Sequence, residues 1–167
     1  QLNSAGNSNS GGSITTSSGG DTTLGNLVFG SAGSNGGSVN STSGGDLTTG
    51  LIFGNSSDGT GGSFTGTANS GTITTTGQVS LISTNGQGGS FTTNSQNVVI
   101  GGSVRVSGGT NGGSVNVTTT NPVPLPIGGT GINSIDGPIN ANGGAMGGSI
   151  TIISQGVTVN SPVTADG

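Results

Sequence analysis

Apolar residues in this chain occur in short runs in which Val, Ile, Leu or Phe alternates with Ser, Thr or Asn, and the runs restart after each Gly-Gly-Ser. An alternation of period two puts successive side chains on opposite faces of a β-strand, so each run reads as a strand with one buried face. Gly-Gly-Ser followed by an apolar residue and then Thr or Asn begins at Gly11, Gly36, Gly61, Gly88, Gly112 and Gly147, and successive copies stand 25, 25, 27, 24 and 35 residues apart. A period of about 20–50 residues marks a solenoid or an array.

Each repeat carries three strand-like pieces separated by small turn residues, as a three-sided coil requires. The first coil reads Ser13-Ile14-Thr15-Thr16, Asp21-Thr22-Thr23-Leu24 and Asn26-Leu27-Val28-Phe29-Gly30. The second follows it nearly residue for residue, with Ser38-Val39-Asn40-Ser41, Asp46-Leu47-Thr48-Thr49 and Gly50-Leu51-Ile52-Phe53-Gly54, so that Phe53 takes the place of Phe29. The fifth coil is interrupted by Pro122, Pro124 and Pro126 and by a glycine-rich stretch from Gly128 to Gly137, and the pattern resumes at Pro138-Ile139-Asn140-Ala141. Three prolines remove three N–H donors, so this run reads as a lateral loop outside the ladder, where repeat proteins often place binding functions. The expected fold is one all-β domain over 1–167, a three-sided parallel β-helix (β-solenoid) of about six coils, with a lateral insertion around 121–138.

The alternation predicts an inward stack of Ile14, Val39, Phe64, Phe91, Val115 and Ile150, and an outward ladder of Thr15, Asn40, Thr65, Thr92, Asn116 and Thr151. Coils ~4.8 Å apart make six of them a rod of roughly 29 Å. The glycine pairs are expected at corners, where a positive φ or a tight bend leaves no room for Cβ.

Composition separates this reading from disorder. Glycine supplies 39 of 167 residues and only 4% are charged, but the chain is rich in β-branched residues and its net charge is only −4. Disordered segments usually combine high net charge with few such residues, so an ordered repeat fits better. One Arg and no Lys exclude nucleic acid and anionic membrane surfaces as partners, and no apolar run is long enough for membrane insertion. A Ser/Thr/Asn/Gly surface nearly free of charge points to an extracellular or cell-surface protein.

The last coil, Gly147-Gly148-Ser149-Ile150-Thr151-Ile152, Gly156-Val157-Thr158-Val159 and Pro162-Val163-Thr164-Ala165-Asp166-Gly167, resembles the passenger repeats of filamentous-haemagglutinin-like bacterial exoproteins. The resemblance implies a right-handed parallel β-helix, an extracellular bacterial location and a role in adhesion or matrix.

Catalysis is hard to build from five Asp, one Arg and no Glu, His, Lys or Cys. Asp21 and Asp46 fall at equivalent places in adjacent coils and could share a cation, but after Gly-Gly they read better as turn carboxylates accepting backbone N–H groups. Arg105 reads as a solvated or edge-protecting charge. No enzyme activity, cofactor or metal is therefore expected.

The function expected is that of a structural extracellular subunit that stacks head to tail into a cell-surface or matrix filament, with an adhesive role toward a host surface or polysaccharide. Leu2, Asn3, Val163 and Thr164 are the expected contacts between subunits, because the two ends match in phase. Two alternatives stand beside it: an ice-binding solenoid using the Ser-x-Thr/Asn ladder, and a rod segment of a larger secreted adhesin.

Overall fold

The computed structural model describes residues 2–3, 10–120 and 133–167. Over these residues the chain is a parallel β-solenoid of about six coils without a helix, and its three sheets run the length of the stack. The long sheet contains Ser13–Ser18, Ser38–Ser43, Ser63–Ala68, Ser90–Ser95, Ser114–Thr119 and Ser149–Ile153. A middle sheet runs from Thr22–Leu24 through Leu47–Thr49, Thr72–Thr75, Asn97–Ile100 and Ser134–Ile135 to Thr158–Val159. The third, short sheet has seven two-residue strands, from Leu2–Asn3 through Leu27–Val28, Ile52–Phe53, Val79–Ser80, Val104–Arg105 and Ile139–Asn140 to Val163–Thr164. Each strand pairs in parallel with its equivalent one coil away.

The alternation sets the core as expected. Ile14, Val39, Phe64, Phe91, Val115 and Ile150 are register partners in one column. The four central members are at most 1% exposed, while Ile14 and Ile150 are half-buried because each has a neighbouring coil on one side only. Phe64 and Phe91 stack with ring centroids 5.5 Å apart and planes 15° from parallel. Fully burying a side chain of this kind contributes ~1.5–3 kcal/mol, so a narrow core suffices when every coil repeats it. The short sheet adds an apolar column of Leu27, Ile52, Val79, Val104 and Ile139, while other interior columns include polar residues. Thr16 Oγ1 donates to Ser41 Oγ at 2.8 Å, whereas Thr49, Thr75 and Thr93 bury hydroxyls that have no partner.

At each corner the second glycine of the pair closes the coil: Gly37 N–H donates to the Phe29 carbonyl, and Gly89, Gly113 and Gly148 repeat this with Leu81, Val106 and Ala141, all at 2.7 Å. The corner glycines Gly36, Gly37, Gly61, Gly62, Gly88, Gly89, Gly112, Gly113, Gly147 and Gly148 do not have a left-handed φ. The requirement is close approach instead: a Cβ at Gly36 would lie 2.4 Å from Gly62 N, and one at Gly37 2.1 Å from Gly12 O.

Two features differ from the sequence reading. The short sheet pairs Leu27 with Ile52 and Val28 with Phe53, so the second coil is shifted by one residue from the apparent match and Phe53 points outward. A shift of one residue reverses the face. Its cause is volume: a Cβ on Gly54 would lie 2.4 Å from Phe29 Cε2 and 2.9 Å from Leu81 Cδ2, so side chains from the coils before and after converge on the glycine. Phe29 is fully buried and Phe53 is 40% exposed. The second difference concerns the fifth coil. Residues 121–132, including the three prolines, lie outside the described residues, but Ser134–Ile135 already pairs with Asn97–Ile100 and Thr158–Val159. The ladder thus resumes by Ser134, before Pro138, and Ile135 is fully buried.

Candidate functional site

Six-residue strands give the long sheet three outward columns. The first is serine in every coil: Ser13, Ser38, Ser63, Ser90, Ser114 and Ser149. The second is the expected ladder of Thr15, Asn40, Thr65, Thr92, Asn116 and Thr151, in register throughout. A third, missed in the sequence, runs Ser17, Thr42, Thr67, Asn94, Thr118 and Ile153. Its signal was present, since the alternation continues two residues beyond the runs that define the core. Side chains stand ~6.7 Å apart along a strand and ~4.8 Å apart between coils, a regular lattice that is polar except at Ile153. Within it, Ser90 Oγ donates to Ser63 Oγ at 3.1 Å.

Beside the serine column runs a groove of about 490 Å³ along the solenoid axis. Its floor is the glycine pairs, and its far wall is the bridged column Thr60, Gln87, Asn111 and Met146. The depth follows from the corner packing, because coils close enough to exclude Cβ leave bare backbone between the two walls.

Among the described residues, the first and last coils carry the edge strands of all three sheets. At one end these are Ser149–Ile153, Thr158–Val159 and Val163–Thr164; at the other, Ser13–Ser18, Thr22–Leu24 and Leu2–Asn3. The last coil presents interior apolar residues: Ile150, Ile152 and Val157 are only partly buried against the core, while Val159 and Val163 are 38% and 44% exposed. Leu2, 38% exposed, lies in the same short-sheet column as Val163. The remaining expected end residues, Asn3 and Thr164, pair in register with Val28 and Asn140.

The Asp21 and Asp46 carboxylates are coil-to-coil staples. Asp46 N–H donates to Asp21 Oδ1 at 2.9 Å, and Thr72 N–H donates to Asp46 Oδ1 at 2.7 Å. Asn26 and Asn35 repeat the device, accepting from Leu51 N–H and Thr60 N–H at 3.0 Å. Each bond satisfies a corner N–H that no sheet partner reaches. Arg105 is exposed on an interior strand of the short sheet, so it guards no edge.

No protein-family model, curated protein or solved structure matches the chain.

Proposed function

We propose that the protein is an extracellular structural subunit, a β-solenoid rod that extends by stacking the last coil of one copy on the first coil of the next. The observation that supports this reading is register: Leu2 and Val163 fall in one short-sheet column, so the edge strands of the first and last described coils match in phase. An open, apolar sheet edge is a template for further strands. Because the two ends differ, the contact is heterologous and continues into a filament instead of closing a dimer. The charge-poor surface and the likeness to filamentous-haemagglutinin-like repeats support an extracellular setting. Light scattering and negative-stain electron microscopy of the purified chain test the reading. Filaments are expected at high concentration, and Leu2→Lys combined with Val163→Lys should leave folded monomers. A wild-type chain that stays monomeric, or a double variant that still elongates, refutes it.

A second reading is favoured by the three-column Ser/Thr/Asn lattice, whose regularity suits ordered water at an ice surface. It requires thermal hysteresis that Thr65→Tyr with Thr92→Tyr abolishes, and a wild-type chain without hysteresis removes it.

A further inference from the structure

The register shift in the second coil leaves one aromatic ring on the outside. Phe29, Phe64 and Phe91 are fully buried, whereas Phe53 is 40% exposed. It borders an open groove of about 440 Å³ together with Val28, Ala32, Asn55, Ser56 and Thr84. Asn55 is held there in one orientation. Its Oδ1 accepts from Ile82 N–H at 3.0 Å and from Ser80 Oγ at 2.9 Å. A backbone N–H can only donate, so the amide oxygen must face Ile82. The Nδ2 group is left without a hydrogen bond to another described residue, as a fixed donor beside the ring. Ser56 borders the same groove, is 5% exposed, and has a buried hydroxyl with no partner. Among the described residues, no charged side chain lines the groove.

We propose that this groove binds a sugar ring of an uncharged polysaccharide. A pyranose has a C–H-rich face and a rim of hydroxyls. The face of Phe53 carries the negative lobe of its quadrupole and suits the C–H groups, while Asn55 Nδ2 and the Thr84 hydroxyl suit the rim. The absence of charge selects neutral sugars over uronates or sulfated glycans. A patch built around one aromatic falls well short of the ~800 Å² per partner that a stable protein interface buries. Phe53 itself lies on an interior strand of the short sheet, between Val28 and Ser80, and not on an edge strand.

The test is saturation-transfer NMR and titration calorimetry of the full chain with cellohexaose, chitohexaose and mannohexaose. Binding of at least one is expected, with saturation passing from aromatic ring protons to the sugar C–H protons and lost in Phe53→Ala. Phe53→Ala and Asn55→Asp should each weaken it about 10-fold. Asn55→Asp keeps both acceptor contacts while replacing the donor by a charged acceptor, and circular-dichroism melts should show both variants folded as the wild type. The proposal is overturned if none of the three sugars binds, or if binding is unchanged in Phe53→Ala. It is also overturned if sedimentation shows that Phe53→Ala abolishes self-association without sugar, which would assign the patch to a second copy. Filament formation measured on the same samples should be unaffected, so this outcome is separable from that of coil stacking.

Discussion

Phe64→Ala takes a fully buried ring out of the middle of the long-sheet column, between Val39 and Phe91. Truncations of this size destabilise by ~3–5 kcal/mol, and ~0.5–1.5 kcal/mol of that belongs to the stacked pair with Phe91. Against a total stability of ~5–15 kcal/mol for a domain this is a large fraction. With a urea m-value of ~1–3 kcal/mol per molar, the unfolding midpoint should fall by at least ~1 M. Gly66 supplies an internal check, because a Cβ there would lie 3.0 Å from Phe64 Cε1 and 3.2 Å from Leu47 Cδ2. Gly66→Ala should therefore destabilise the wild type, yet be neutral or restorative in the Phe64→Ala background, where the ring is gone. Thr65→Val, on the opposite face of the same strand, should stay within about 0.5 kcal/mol of wild type. If Phe64→Ala moves the midpoint no further than Thr65→Val, the assignment of inward and outward faces is wrong.

Replacing Gly36 and Gly37 with Val should abolish the cooperative melt seen by circular dichroism, because each Cβ would collide with the backbone of a neighbouring coil; a folded double variant refutes the close-approach account. Thr75→Val should raise stability by ~1 kcal/mol in urea melts, since it replaces a buried hydroxyl without a partner by a methyl group of similar shape; destabilisation would show that the hydroxyl is satisfied in solution. Asp46→Ala should lower stability by ~1–2 kcal/mol by leaving the Thr72 N–H unpaired, and Asp46→Asn should recover most of it.

The coil count, the strand order and the Ile14-to-Ile150 column were legible because period-two alternation and the Gly-Gly-Ser repeat agree with each other. The place of Phe53 was not. Two coils can be aligned by similarity 24 residues apart or by hydrogen bonding 25 apart, and the choice turns on whether one cross-section can hold Phe29, Leu81 and another large side chain together. That is a question of volume, which residue likeness does not measure. The glycine pairs were legible as corners, but the reason they are glycine is the approach of a coil 25 or more residues away. The exposed groove at Phe53 follows from the same packing and could not be read from its local sequence. The third outward column could have been read, since Ser17, Thr42 and Thr67 simply continue the alternation.

The side-chain staples also have a direction. Oxygens on Asp21, Asn26, Asn35, Asp46, Asn55 and Asn142 accept N–H groups from the coil that follows, while the bond from Val98 N–H to Asn133 runs the other way. A completed coil therefore presents acceptors already in place for the next to meet. Each addition closes a loop of one coil, so the entropy of closure, which grows only as (3/2)RT ln n, is nearly the same at every step however long the rod becomes. Such a chain folds as a zipper, and one released N-terminus first can order itself coil by coil as it emerges, with no need to wait for its far end.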